Sequence, residues 1–414
     1  MRKVRIISQL TLLVFILLFP VFQYLRSDHE STSASGQKGA TQAAGLNSAM
    51  LYSEEELEYL DHSITNLLIE NRFNGNVLIS RYGMVIYQRS FGFSSFTRSE
   101  PMNLETTFQL ASITKTFTSA AVLLLQHQGK LHIDDLVMEH IPEFPYPNIT
   151  VRQMLNHTSG LQNYMWLVER HWRRKQIPSN EDVLQLFINH PRGLNFTPGN
   201  RLDYSNTVYV FLGLLIERVS GQSYREFIHQ NIFDPLEMYR SYVYDLHQGV
   251  KPENRAFGYR QWRGRQIIIP DDNLDGPLGD KGIFSSVTDL YKWDQALHRS
   301  ELIPAVLWQD AFAHARLNNN DSIDYGLGWR LQSFLDKEIV HHPGRWHGFR
   351  TSFKRFLNDH SLIVVLSNNN TGILPVIEGI QNIIYYEDKE IWLASNEESK
   401  EEYNDELPED YPNQ

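Results

Sequence analysis

The sequence predicts an α+β protein: one antiparallel β-sheet built from N- and C-terminal strands, flanked by helices, with an inserted, mostly helical lobe. Three observations predict it. Near the start, "NVLISRYGMVIYQRS" holds two β-rich runs around Arg81-Tyr82-Gly83, the pattern of a hairpin. Near the end, "EIVHHP", "FRTSFKRF" and "SLIVVLS" are three further runs, the last two joined across Leu357-Asn358-Asp359. Between the two groups the chain is mainly helical, with long loops punctuated by proline and glycine.

Taken in order, the chain opens with "MRKVRIISQLTLLVFILLFPVFQYLRS". Arg2, Lys3 and Arg5 precede a mostly apolar run from Ile6 to Leu25, the pattern of an export segment that leaves the following chain outside the cytoplasm. Pro20 shortens the apolar helix, as in a cleaved signal, but no small-x-small site follows closely; Ser33-Ala34-Ser35 lies far downstream. Residues 1–26 are expected to be a signal or membrane anchor, and residues 27–50, small and polar, a flexible linker. If the segment is cleaved, the protein is secreted. Glu54 to Asn71 has helical periodicity, with Leu57, Leu60, Ile64, Leu67 and Leu68 on one side. The run "LIVVL" alternates weakly, as in a strand covered on both faces, and a helix is expected from Ile373 to Tyr386. Residues 51–395 read as one domain and residues 396–414 as an acidic tail.

Composition excludes some functions. The 38 basic against 49 acidic residues give −11, which argues against nucleic acid as a partner. With no cysteine, disulfides, thiolate metal sites and a cysteine nucleophile are excluded. "HHPGRWH" puts His341, His342 and His347 close together, but no H-E-x-x-H or H-x-H-x-D accompanies them, so no metal is expected.

Three short motifs carry chemistry. In "FQLASITKTFTSAAVLLLQHQGK", Ser112 opens a helical pattern that Gly129 closes, and Lys115 follows three positions later on the same face. A serine hydroxyl at neutral pH needs such a neighbour to become a nucleophile; the plainer reading is a helix cap and a solvated lysine. In "FTPGNRLDYSNTVYVFLGLLIERVSG", Tyr204-Ser205-Asn206 precedes an apolar helix that runs to Gly221. Tyr204 could relay a proton and Asn206 could hold a substrate amide; ordinary capping polarity explains them equally well. In the third, Pro343 lacks an N–H, which puts its strand at a sheet edge, and Gly344 allows another backbone to come close. There the Arg345 N–H is available to an oxyanion.

The order S-x-x-K, Y-S-N, H-x-G resembles the serine β-lactamase and penicillin-binding superfamily, in its class C β-lactamase, D-alanyl-D-alanine carboxypeptidase and esterase branch. "MLNHTSGL", "NIFDPLEM", "KGIFSSVTDLYKW" and "YGLGW" extend the similarity over roughly residues 55 to 390. The resemblance implies Ser112 as acyl-forming nucleophile, Lys115 and Tyr204 sharing the general-base work, and an oxyanion hole from the Ser112 and Arg345 N–H groups. It also implies Asn206 on a substrate amide and His342 supporting the Tyr204 end. Many β-lactamases have lysine where this chain has His342, a departure that favours a carboxypeptidase or esterase over an efficient β-lactamase. His157 and Ser159 of "NHTSG" are read as structural, Asp280-Lys281 as a turn-capping ion pair, and Tyr164, Trp166 and Trp172 as either packing or a cleft wall.

The resulting expectation is an exported serine hydrolase acting through an acyl-enzyme on a D-amino-acid peptide, an ester or a β-lactam. Its partners would be a small-molecule or peptide substrate and, through the N-terminal segment, the membrane; no cofactor is implied. A slowly acylated or non-catalytic penicillin- or peptide-binding protein is the rival from another class, and a metallohydrolase the third reading.

Overall fold

The computed structural model describes residues 51–248, 252 and 254–385. The expected anchor (1–26), linker (27–50), acidic tail (396–414) and the domain end at residue 395 lie outside the described residues. The chain divides into two compact units, Met1–Leu57 and Glu58–Gln414. The first is described only from residue 51. It starts a helix with a capping box, in which the Ser53 hydroxyl accepts from the Glu56 N–H at 3.2 Å and the Ser53 N–H donates to the Glu56 carboxylate at 2.6 Å. That helix, α1 (Glu54–Glu70), continues into the second unit and buries Tyr59, Leu60, Ile64 and Leu68 on one face.

The second unit is built on a six-stranded antiparallel sheet. Its strands are β1 (Gly75–Arg81), β2 (Met84–Phe91), β3 (Arg330–Phe334), β4 (Lys337–Trp346), β5 (Phe349–Phe356) and β6 (Ser361–Ser367), in the order β3-β4-β5-β6-β1-β2. Both chain ends contribute, as expected. The β1–β2 hairpin closes through Tyr82 and Gly83, both with positive φ (50° and 72°), the two-residue turn whose twist matches that of the strands. β6 is buried along its whole length, which explains its continuous apolar run. On β5, Lys354 Nζ donates to Gln381 Oε1 of α6 (Leu374–Tyr385) at 2.9 Å, and Arg355 pairs with Asp294 of α5 (Val287–Arg299). Neighbouring residues on a strand point to opposite faces, so α5 and α6 cover the two sides of the sheet.

The edge-strand expectation needs correction. β4 is the second strand, not the first, because the short strand β3 was not legible. β3 nevertheless pairs with β4 only as far as Arg330 opposite His341. Among the described residues, β4 has β5 as its one partner from His342 onward, so the open edge begins where Pro343 has no N–H to give.

The segment between β2 and β3 supplies the second lobe. Its centre is α2 (Thr114–His127) packed on α4 (Asn206–Ser220), and both are buried on nearly all sides. Gly221, with φ 72°, ends α4 in the left-handed conformation that glycine accepts freely. A further helix, α3 (Tyr164–His171), packs against α4.

Candidate active site

Ser112 sits in a single 3-10 turn, Ala111–Ile113, that runs directly into α2. It is half-buried between two buried neighbours. Ala111 holds φ at 50°, a left-handed conformation that costs a non-glycine residue on the order of 1 kcal/mol or more. Surrounding bonds hold it there: Leu110 N–H donates to Ile283 O at 2.8 Å, and Thr351 Oγ1 donates to Leu110 O at 2.8 Å. Gly344 completes the grip. A Cβ at that position would lie 2.2 Å from Leu110 O and 2.0 Å from Thr351 Oγ1, so only glycine lets β4 pass this close to the turn.

Lys115 is fully buried. Its Nζ donates to Ser112 Oγ at 3.1 Å and to Asp280 O at 2.8 Å, and lies 5.2 Å from the Tyr204 ring centre. Burial pushes its pKa down to about 7; the Asp280 carboxylate opposes that push and the Arg330 guanidinium adds to it. Near neutrality a large share of the molecules therefore carry a free amine beside the serine. The plainer reading of Lys115 as solvated does not hold.

Tyr204 is partly exposed as a residue, and its hydroxyl is buried without a hydrogen bond of full geometry. Burial pushes the phenol well above its ordinary pKa, against the Ser112 hydroxyl and Arg330, which lower it. Arg330 is the fixed cation of the site, its guanidinium 5.1 Å from the Tyr204 ring centre. It stands at the first position of the strand that sequence reasoning missed.

His342 is buried and reaches Tyr204 indirectly. Its Nε2 lies 3.2 Å from Tyr325 Oη, its Nδ1 lies 2.8 Å from Pro343 O, and its ring centre is 6.0 Å from that of Tyr204. The residue between is His157, whose Nε2 is 3.0 Å from Tyr325 Oη and whose Nδ1 accepts the Ser205 N–H at 3.2 Å. Asn206 occupies the first position of α4, with its amide nitrogen 3.9 Å from Met165 Sδ. Arg345 is exposed while His342 and Gly344 are buried, so its side chain faces away from them.

Asp280 and Lys281 do form the expected ion pair at a bend, but it is buried rather than solvated. Both are buried, and Lys281 Nζ donates to Tyr164 Oη at 2.6 Å and approaches Asp280 Oδ2 at 3.3 Å. Tyr164 is thus part of this network, and Trp172 is packing, its indole N–H on Gln176 O at 2.8 Å. Trp166 does line a cavity. It has a volume of about 490 Å³, adjoins Tyr204 and is bounded also by Gln162, Arg192 and Asp203.

His347 pairs with Asp275 at 3.1 Å and with Asp272 at 3.5 Å. Among the described residues these three form the group that could hold a metal ion. The two carboxylates hold the imidazole charged, with its pKa raised to about 9 against the downward push of burial. A cation would have to displace that proton first, so the donor set fits an ion pair better than a metal.

Residues 60–384 match the family model described as Beta-lactamase. The chain belongs to the β-lactamase family. It is 36% identical over 312 residues to Penicillin-binding protein 4* of Bacillus subtilis, a match covering 72% of this chain and 69% of the relative. The solved structure of a penicillin binding protein from Bacillus halodurans aligns with a TM-score of 0.67 at 26% identity, over 77% of this chain and 98% of that one. A D-amino acid amidase from Ochrobactrum anthropi shares the fold, with a TM-score of 0.66 at 22% identity, over 80% of this chain and 99% of the amidase. As a β-lactamase-family chain it is a hydrolase by descent, on the mixed α/β architecture of that family.

Proposed function

We propose that this protein is an exported serine hydrolase that forms an acyl-enzyme on Ser112 and hydrolyses an amide or ester bond of a D-amino-acid peptide or ester. The observation that carries the proposal is the buried Lys115 amine, 3.1 Å from Ser112 Oγ with a pKa near 7. The free amine takes the serine proton as Oγ attacks the carbonyl carbon. The resulting oxyanion would be met by the N–H groups of Ser112 and Arg345 at the open edge of β4. As the carbonyl re-forms, the leaving amine or alcohol departs with a proton returned from Lys115 through the Tyr204 hydroxyl. Water then attacks the acyl-enzyme, giving its proton to the same pair, which returns a proton to Ser112 Oγ as the ester bond breaks and the acid is released. Because burial keeps Tyr204 protonated, Lys115 is the base and Tyr204 the relay.

His342 in place of lysine supports a carboxypeptidase or esterase over an efficient β-lactamase. The names of relatives support the substrate class: penicillin-binding proteins at 36% and 28% identity, the latter named as putative. Export rests on Arg2, Lys3 and Arg5 before the apolar run, with the chain either held at the membrane or released after cleavage. The test is product release by the full chain in detergent from D-Ala-D-Ala peptides, D-amino-acid esters and penicillins, beside Ser112→Ala. Turnover that needs Ser112 supports the proposal. Acylation by penicillin without turnover of any substrate would move the protein to the class of slowly acylated binding proteins.

A further inference from the structure

His157, read from the sequence as structural, grips Tyr204 from both sides. Its backbone carbonyl accepts the Asp203 N–H at 3.0 Å and its ring Nδ1 accepts the Ser205 N–H at 3.2 Å. The two rings lie 4.3 Å apart between centres. His157 does this with φ at 60°, a conformation uncommon among residues other than glycine, though histidine, asparagine and aspartate adopt it more often than most. We propose that His157, Tyr325 and His342 form a one-directional hydrogen-bond chain that positions the Tyr204 loop against β4 for acylation of Ser112.

The direction follows from the two ends. A backbone N–H points at His157 Nδ1, so that nitrogen carries no proton and, in a neutral ring, Nε2 does. Nε2–H then donates to Tyr325 Oη, 3.0 Å away. At the other end a carbonyl, Pro343 O, lies 2.8 Å from His342 Nδ1, so Nδ1 carries the proton and Nε2 is bare. The Tyr325 hydroxyl, 3.2 Å from that bare nitrogen, donates to it. All four contacts are satisfied by one arrangement of protons. Reversing either ring sets two acceptors or two donors face to face. Protonating both rings gives Tyr325 two donors and no acceptor.

The three side chains are 0%, 1% and 1% exposed, so water does not repair a broken link. Burial pushes both imidazoles well below their ordinary pKa, and the Lys115 charge adds to it, in keeping with neutral rings. The neighbouring Tyr209 hydroxyl is a further hydrogen-bond partner of Tyr325, but it donates its own proton to Leu155 O at 2.8 Å, so it is not available to replace His157 as donor to Tyr325. The chain ends at Pro343 O, one residue before the glycine that packs on the Ser112 turn. Tyr204 and β4 are thereby fixed to each other. His157 and Tyr325 are positioning residues.

The kinetic consequence rests on Ser112 as nucleophile; the proton arrangement does not. Two measurements separate them. Nitrogen-15 spectra of histidine-labelled full-length protein at about pH 7, assigned with His157→Asn and His342→Gln, should show opposite tautomers, Nε2–H for His157 and Nδ1–H for His342. Tyr325→Phe should then fold, lose the single tautomer of His342, and acylate with an activated D-amino-acid ester or penicillin roughly tenfold to a hundredfold more slowly in kcat, with KM little changed. His157→Asn, which keeps an acceptor for the Ser205 N–H and tolerates the positive φ, should retain more rate than His157→Ala. Like tautomers, or a Tyr325→Phe enzyme with wild-type kcat, would overturn the proposal. If Tyr325→Phe fails to fold, the wild-type tautomers and the order of the two His157 variants decide. Opposite tautomers in a protein that no probe acylates would support the chain and count against the proposed hydrolase alone.

Discussion

Lowering the pH should disarm the enzyme through Lys115 before any histidine of the site responds. With the Lys115 pKa near 7, roughly a tenth of the amines are free at about pH 6 and roughly nine-tenths at about pH 8. The first-order rate of acylation should therefore drop about tenfold across that interval, along a one-proton limb. His157 and His342 cannot produce this limb, because burial and the Lys115 charge hold both well below the usual histidine range. Arg330→Gln removes a cation that depresses Lys115, so the limb should move to higher pH. Lys115→Arg, a permanent cation, should lose about 100- to 10,000-fold in rate. The assay is single-turnover acylation by an activated ester or penicillin, followed by intact mass from about pH 5.5 to about pH 9. A flat profile through neutrality, or a limb that persists unchanged in Arg330→Gln, would refute the assignment of Lys115 as base.

The same buried amine predicts a stability signature. Between its folded pKa of about 7 and its unfolded value of about 10.5, the unfolded chain binds the extra proton, so stability rises with pH across that window. Lys115→Met should raise Tm most below about pH 7, with the gain shrinking towards about pH 10; a gain independent of pH would contradict the burial argument. Gly344→Ala places a Cβ 2.0 Å from Thr351 Oγ1, and should cost about 1–3 kcal/mol in urea unfolding while abolishing acylation. Arg355 and Asp294 form an ion pair with both side chains buried, at 7% and 5% exposure, so Arg355→Ala should cost about 3–5 kcal/mol by the same measurement. Chelators should leave turnover unchanged, since His347 keeps its proton at neutral pH; loss of activity in EDTA, restored by a divalent metal, would reopen the Asp272–Asp275–His347 group as a metal site.

Elements with local causes were legible in the sequence. The β1–β2 hairpin was fixed by a two-residue turn, and α4 by the glycine that ends it. Ser112 and Lys115 could be paired because three positions on a helix put them on one face. What stayed hidden was non-local or too short to have a pattern. Five-residue β3 shows no sustained alternation, and missing it misplaced β4 in the sheet and hid Arg330. His157 meets Tyr325 across 168 residues of sequence, and Lys115 meets Asp280 O across 165; no spacing rule reaches that far. Asp280 and Lys281 were legible as an ion pair at a turn, but not as a buried one beside Lys115, because burial depends on residues far away in sequence. Pro343 shows a local rule that is right about its own N–H and silent about the length of the neighbouring strand.

The central claim is that Ser112 takes the acyl group. Intact mass followed by peptide mapping, after brief exposure of the full chain to a penicillin or an activated D-amino-acid ester, tests it most directly. A single adduct on the peptide that contains Ser112, absent from Ser112→Ala and slowed in Lys115→Arg, is the predicted result. An adduct on another residue, or one that survives Ser112→Ala, would contradict it.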